Sequence, residues 1–263
     1  MANILEQLAD YARYRVKEEE KNVSFSEVRR IAESMPEDTG FPFEKALRTP
    51  GISFICEVKK ASPSKGVIAP DFPYLQIAEE YQAAGASAIS CLTEPRWFQG
   101  SDRYLEEIAK AVSIPVLRKD FTVDPYMIYR AKIIGASAIL LICRILTEKE
   151  LAENLALADS LGLSALVEAH DEHEVEMALA AGSRIVGVNN RDLCDFSVDI
   201  HNSVRLRDLV PGNVLFVSES GIRTPEDVGK LYQNGTDAVL IGETLMRSRD
   251  KAAKLRELAG KCQ

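Results

Sequence analysis

Long hydrophobic runs are missing from this chain. The longest, Ala138 to Cys143, falls far short of the ~20 apolar residues that span a bilayer, and the N-terminus carries a charge run, Lys17-Glu18-Glu19-Glu20-Lys21, rather than an apolar signal core. A membrane protein and a secretory or transit leader are thus both disfavoured. Basic excess is missing too: 32 Lys and Arg stand against 40 Asp and Glu, a net charge of −8, which argues against a nucleic-acid binder. A local cationic cluster for a small anion is still compatible with that total. The five cysteines (Cys56, Cys91, Cys143, Cys194, Cys262) form no C-x-x-C pair, and three of them lie in apolar runs, a pattern that fits reduced thiols in a cytoplasm. Only three histidines occur, none in H-E-x-x-H, so His170 and His173 make a poor metal site. The chain has no G-x-G-x-x-G, no P-loop and no low-complexity linker.

What is present is a rhythm. Eight short apolar runs are expected as strands: 53–59, 88–93, 116–119, 138–144, 165–169, 185–189, 215–219 and 238–241. Amphipathic helical patterns lie between them, at 75–84, 102–111, 126–134, 148–161 and 171–181. Near-continuous apolar strands alternating with helices indicate a parallel sheet covered by helices. A phrase recurs as Ala84-Gly85-Ala86-Ser87-Ala88 and Ile134-Gly135-Ala136-Ser137-Ala138, with weaker echoes at Gly182 and Gly235. It reads as helix, glycine cap, buried strand. Its spacing near fifty residues equals two βα units, and the length suits one eight-stranded parallel (β/α)8 TIM barrel. Cap residues precede proline at Asp124-Pro125 and Thr224-Pro225, and Asp171 precedes an acidic first turn.

Residues 1–48 stand outside the eightfold pattern. Ile4, Leu5, Leu8, Tyr11 and Ala12 mark one helical face, Ser24 with Glu27 fits a capping box, and Met35-Pro36 ends a helix. We expect one domain over residues 1–263, with residues 1–48 as an N-terminal helical extension packed outside the barrel or across one end.

Charged and polar residues fall where the strands run out: Glu57-Val58-Lys59, Arg118-Lys119-Asp120, Glu168, Asn189-Asn190-Arg191 and Ser218-Glu219-Ser220-Gly221. In a parallel barrel those ends share one mouth. Alternation places Glu57 and Lys59 on one side, where they can pair; a solvated strand end with a Ser62-Pro63-Ser64 turn is the plainer alternative. Lys119 fits a general acid, an anion ligand, a Schiff-base nucleophile or a surface lysine. Glu168 fits a base opposite it. Asn189 and Arg191 suit a carboxylate or hydroxyls, or simply a turn. Gly221 and Gly242 follow the last two strands, where barrels present backbone N–H groups to phosphate. Phe98 and Phe121 suit a flat ring or ordinary loop packing.

The ordered phrases Glu57-x-Lys59, Ser62-Pro63-Ser64, Leu92-Thr93-Glu94, Phe98-Gln99-Gly100-Ser101, Lys119-Asp120-Phe121, Val167-Glu168-x-His170, Asn189-Asn190-Arg191-Asp192-Leu193, Ser218-Glu219-Ser220-Gly221-Ile222 and Ile241-Gly242-Glu243-Thr244-Leu245-Met246 resemble the indole-3-glycerol-phosphate synthase family over the full length. That resemblance implies closure of an indole ring from 1-(2-carboxyphenylamino)-1-deoxyribulose 5-phosphate, with loss of carbon dioxide and water, in tryptophan biosynthesis. It implies Lys119 as the acid for ring closure, Glu168 and Lys59 for dehydration, and Glu57, Asn189 and Glu219 as groups that orient lysines and bind hydroxyls. Ser220, Gly221, Gly242 and Glu243, the last two through backbone N–H, would hold the phosphate with Lys59 and Ser62. Arg191 would meet the anthranilate carboxylate, and Leu92, Phe98 and Phe121 would line the ring pocket. The extension would lie over the mouth. The side chains of Asn190 and Glu243 carry no mechanistic weight in the resemblance. It implies no cofactor and no metal; the partner is a small phosphorylated molecule, not nucleic acid or membrane, and contact with other pathway enzymes is left open. The chain's end soon after the last helix leads us to expect a separate enzyme rather than a fusion. Two rivals stand beside this reading: a Schiff-base aldolase using Lys119 or Lys59, and a phosphosugar sensor without turnover.

Overall fold

The computed structural model describes residues 4–192 and 196–260. Leu193, Cys194 and Cys262 lie outside them. Eight parallel strands close into a barrel: β1 (Ser53–Val58), β2 (Ala88–Leu92), β3 (Val116–Lys119), β4 (Ala138–Ile142), β5 (Ser164–Ala169), β6 (Ile185–Asn189), β7 (Leu215–Glu219) and β8 (Ala238–Ile241). Each pairs with its sequence neighbours, and β1 joins β8 through Ile55 opposite Leu240. Every residue of β1, β2, β4, β5, β6, β7 and β8 is buried. That is the expected state of strands covered by side chains inside and helices outside.

The repeated phrase is a Schellman motif. Gly85, Gly135, Gly182 and Gly235 all have φ between 80° and 96°, a region that costs any residue with a Cβ. Each glycine N–H and the next N–H donate back into the ended helix, as in Gly85 N to Gln82 O (3.1 Å) and Ala86 N to Tyr81 O (3.0 Å). The chain therefore turns from helix to strand the same way four times. Helix starts are equally local. Asp124 and Asp171 accept from Tyr126 and Glu174 N–H groups, and Thr147 and Thr224 form full capping boxes. Ser24 Oγ accepts from Glu27 N–H at 3.3 Å, one half of the expected box.

Several element ends shift by one residue from expectation, and two segments differ more. The run after β4 turns into a single 3-10 turn at Cys143–Ile145, which swings Arg144 outward to Glu174 (2.8 Å). The segment after β1 is not a plain loop: Ala61 and Ser62 pair antiparallel with Val67 and Gly66. Gly66 at φ 63° makes that reversal possible, and Ala61 N–H donates to Phe98 O at 3.3 Å, tying the hairpin to the loop after β2.

Three helices precede β1: α1 (Ile4–Glu19), α2 (Phe25–Glu33) and α3 (Pro42–Leu47). Leu5, Leu8, Ala9, Ala12 and Val16 bury one face of α1. Its polar anchor is Arg15, whose guanidinium grips Asp120 at 2.6 and 3.1 Å. Asp120 is fully buried and also accepts from Thr93 Oγ1 at 2.6 Å. Burial opposes its charge, but Arg15 and Arg118 overcome that and hold the carboxyl below its ordinary range. No helix among the described residues is long and apolar enough to cross a membrane. Cys56, Cys91 and Cys143 are free and buried, and burial pushes all three thiols up, so they stay protonated at neutral pH.

Replacing Arg15 with Met leaves Asp120 buried without its bidentate partner, and we expect a loss of roughly 3 kcal/mol of unfolding free energy in urea titrations. Asp120→Asn in the same background should restore part of it. A single-variant loss below about 1 kcal/mol would show that the clamp does not hold the helix.

Candidate active site

The C-terminal ends of the strands surround a cavity of about 560 Å³, and all fifteen residues singled out for chemistry line it: Glu57, Lys59, Ser62, Leu92, Phe98, Lys119, Phe121, Glu168, Asn189, Arg191, Glu219, Ser220, Gly221, Gly242 and Glu243. Ile4 and Leu8 of α1 line it as well. The convergence follows from register. Glu57, Lys119, Glu168 and Glu219 belong to β1, β3, β5 and β7, and alternate strands are the ones that supply a single layer of a barrel's interior. Within one strand, neighbours diverge. Arg118 beside Lys119 instead donates outside the barrel to Asp102 Oδ1 and Met127 O, both at 2.8 Å.

Lys119 is the hub. Its Nζ lies 3.2 Å from Glu168 Oε2 and 3.7 Å from Glu219 Oε2. Burial works against its charge, yet Glu168, Glu219 and Glu57 outweigh burial and raise its pKa above the ordinary lysine value. Glu168 shows the counterpart. Burial would raise it, but Lys119, His170 and the hydrogen bond from Asn189 Nδ2 (3.2 Å) hold it below the ordinary glutamate range. Lys119 is therefore an ammonium and Glu168 a carboxylate at neutral pH.

Glu219 is different. Burial pushes it up, the charges of Glu168 and Glu57 add to that, and Lys119 only partly offsets them, leaving a pKa of about 8. Its Oε1 is buried without a hydrogen-bond partner among the described residues and packs on Gly187, where any Cβ would collide with it. Two ammonium groups, Lys119 and the Glu57-paired Lys59, serve three clustered carboxyls, so one acid keeps its proton.

On the other side, Lys59 Nζ pairs with Glu57 Oε1 at 2.5 Å, and both press against Gly242, whose missing Cβ leaves room for them. The late loops are shaped for an anion. Ser220 sits at φ 67°, left-handed without being glycine, followed by Gly221 at φ 81°; such backbone is held only when its surroundings over-determine it. Asn190 supplies that support: its Nδ2 donates to Ser218 Oγ (3.0 Å) and Ser220 O (3.1 Å), and its Oδ1 accepts from Ser203 N–H and Oγ–H. Glu243's side chain turns to arginines, lying 3.5 Å from Arg191 Nη2 and 3.0 Å from Arg247 Nε. Arg223, Arg247 and Lys254 add positive charge to the cavity wall. The rings of Phe98 and Phe121 stand 6.0 Å apart at 41°. Glu94 fastens the Phe98 loop, accepting from the N–H groups of Arg96, Trp97 and Phe98.

Several contributors escaped the sequence reading. Arg15 gave no signal, because its partner is 105 residues away. Arg223, Arg247 and Lys254 look like any helix-surface cation until the barrel closes. His170 is a poor metal candidate by sequence, and the structure gives it carboxylate neighbours instead. It is buried between Glu168 (3.6 Å) and Glu174 (3.1 Å), while His173 is exposed on its helix.

The raised pKa of Glu219 makes a stability prediction. A carboxyl raised in the folded state favours folding at low pH, and that contribution is lost as pH climbs towards the folded value. Glu219→Gln, which never ionises, should gain unfolding free energy relative to the parent, with the gain growing between about pH 5 and about pH 8 and level beyond. A difference that stays flat across this window in urea titrations would refute a protonated Glu219.

A family model described as indole-3-glycerol phosphate synthase matches residues 5–258. The indole-3-glycerol phosphate synthase of Ruminiclostridium cellulolyticum is 58% identical over 257 residues, covering 98% of this chain and 99% of that protein. That of Endomicrobium trichonymphae is 52% identical over 255 residues, covering 97% and 99%. Among solved structures, 3-hexulose-6-phosphate synthase superposes with a TM-score of 0.62 at 13% identity over 80% of this chain and 99% of that one. Thiamine phosphate pyrophosphorylase from Pyrococcus furiosus reaches 0.60 at 13% identity, over 80% and 94%. These distant structures share the barrel alone. The chain belongs to the indole-3-glycerol phosphate synthase family.

Proposed function

We propose that this protein converts 1-(2-carboxyphenylamino)-1-deoxyribulose 5-phosphate to indole-3-glycerol phosphate, with the cavity residues in the following roles. The observation that carries the reading is the juxtaposition of Lys119 Nζ with Glu168 Oε2 at 3.2 Å in one cavity, where each pushes the other towards its charged form.

Ring closure attacks a ketone and builds negative charge on its oxygen. A fixed ammonium stabilises that charge and delivers a proton to it. The high pKa of Lys119 suits an alkoxide acceptor, which is more basic still. Carbon dioxide then leaves and aromaticity returns. Loss of water needs a base to take a proton and an acid to protonate the departing hydroxyl; Glu168 serves as the base and Lys59, held by Glu57, as the acid. Asn189 keeps Glu168 in place, and Glu219 contributes a carboxylic O–H to the sugar hydroxyls. Backbone N–H groups at Ser220, Gly221, Gly242 and Glu243 hold the phosphate, helped by Lys59 and Ser62. Arg191 meets the ring carboxylate, and Leu92, Phe98 and Phe121 enclose the ring.

The same charges weigh against the Schiff-base alternative. A nucleophilic lysine must be a neutral amine, and Lys119 sits among carboxylates that keep it protonated. A sensor would need the anion-holding loops but not a paired acid and base. The reading extends to organisation: one domain over residues 1–263, its extension of residues 1–48 packed near the mouth. Support comes from Ile4 and Leu8 in the cavity wall and from the Arg15–Asp120 clamp. Free buried thiols accord with a cytoplasmic setting. A small phosphorylated molecule is the partner.

Supplying the substrate and following indole fluorescence tests the assignment. We expect turnover by the parent, none detectable from Lys119→Ala, and from Glu168→Gln a fall in kcat of at least about a hundredfold with KM changed by less than a few fold. Near-parent turnover in either variant removes that residue from the chemistry. Borohydride in the presence of substrate should leave Lys119 and Lys59 unmodified by mass spectrometry; a trapped adduct would favour the aldolase instead.

A further inference from the structure

Behind Glu168, on the side away from Lys119, lies a buried imidazole to which the proposed chemistry gives no task. His170 follows β5 by one residue, and its ring is fixed from several directions. Nδ1 is 3.1 Å from Glu174 Oε2, and the backbone N–H of His170 donates to that same oxygen at 2.8 Å. Glu174 is itself anchored by Arg144 Nε at 2.8 Å. Asn202 Nδ2 donates to His170 O at 2.9 Å. The other ring nitrogen, Nε2, is buried, has no hydrogen-bond partner among the described residues, and lies 3.6 Å from Glu168 Oε1.

We propose that His170, braced by Glu174 and Arg144, is a positioning residue for Glu168: as an imidazolium it presents Nε2–H to the carboxylate oxygen opposite Lys119 and keeps that carboxylate ionised and aimed. The inference rests on the reading of Glu168 as the base.

The geometry selects the charged ring. A neutral imidazole has one N–H, and with Nδ1–H donated to Glu174 the lone pair on Nε2 would face a carboxylate oxygen. Only with both nitrogens protonated does the ring offer an N–H to each carboxylate. The charges around the ring agree. Burial and Arg144 oppose a proton on His170, but Glu174 and Glu168 outweigh them and lift its pKa above the ordinary histidine value. The other groups facing this corner are Asp171 at the following helix start, Cys143 on the 3-10 turn, Lys119 from β3, Asn189 from β6 and Glu219 from β7. Glu168 therefore divides its two oxygens. Oε2 faces Lys119, while Oε1 receives Asn189 at 3.2 Å and looks towards His170. A closing movement of a few tenths of an ångström completes the third donor.

The sign of the effect follows from linkage. A cation beside Glu168 lowers its pKa, so the acid limb of kcat lies lower in pH while His170 is charged. His170→Asn removes the charge, and the acid limb should move to higher pH by at least about 0.5 unit with KM altered less than about twofold. Glu174→Gln leaves the ring and removes its brace, and should lower the pH midpoint at which the His170 ring titrates. A merely structural His170 would depress kcat evenly at every pH, and that result in His170→Asn would overturn the proposal. A second measurement is independent of turnover. With three histidines in the chain, the ring of His170 can be identified by NMR using His173→Gln and His201→Gln. It should titrate above the ordinary histidine value, and Glu168→Gln should lower its midpoint. A midpoint unmoved by Glu168→Gln overturns the pairing whether or not the parent turns over. A parent without turnover, by contrast, strikes only the catalytic reading.

Discussion

The clustering of three carboxyls around the Lys119 ammonium at the barrel mouth is the constraint on which this site depends. Glu168, Glu219 and Glu57 are buried and Lys119 is partly so, with 16% of its side chain exposed, and the removal of any one charge from water is costly unless its partners are in place. Their shared position is a consequence of barrel geometry, because β1, β3, β5 and β7 contribute to one interior layer. The imbalance of charge is equally consequential. With two ammonium groups, Lys119 and Lys59, for three acids, Glu168 is drawn into ionisation and Glu219 keeps its proton. Two carboxyls of the same residue type thus acquire opposite states from their surroundings, which is what acid and base steps in one cavity require.

The anion-holding half of the mouth is built by a different means. Here the backbone does the shaping, through left-handed Ser220 and Gly221 and through a bare Gly242 that admits the Glu57–Lys59 pair. Asn190 touches no candidate substrate group. It ties three segments of chain together beneath Ser220, so a residue that carries no chemistry maintains the strain that the chemistry uses. Glu94 does the same for the Phe98 loop. α1 then adds the apolar edge of the cavity and is joined to the acid centre through Arg15 and Asp120, the residue beside Lys119.

Much of this was legible beforehand because the signals are local. A Schellman glycine, a Thr capping box and an apolar strand are each read within a few residues, and four copies of the first reveal the βα rhythm. The polar strand ends were legible too, since side-chain alternation has a period of two. The signal does not say which charge turns in. Arg118 and Lys119 are adjacent and look alike in sequence, yet one binds Asp102 outside the barrel and the other faces Glu168 inside. The loop after β1 gave no sign of being a hairpin, because two-residue strands are too short to show a pattern.

From its sequence alone the chain determined a parallel barrel, a mouth rich in charge, and the ordered motifs that carry the family resemblance. Those properties are periodic or contiguous, and depend on neighbours within a turn or a strand. Tertiary structure decided the protonation states, the clamp between Arg15 and Asp120, and the enclosure of His170 between Glu168 and Glu174. These depend on burial and on distances between residues far apart in the chain. A pKa is set by the sum of those fields, and that sum exists only once the barrel has closed.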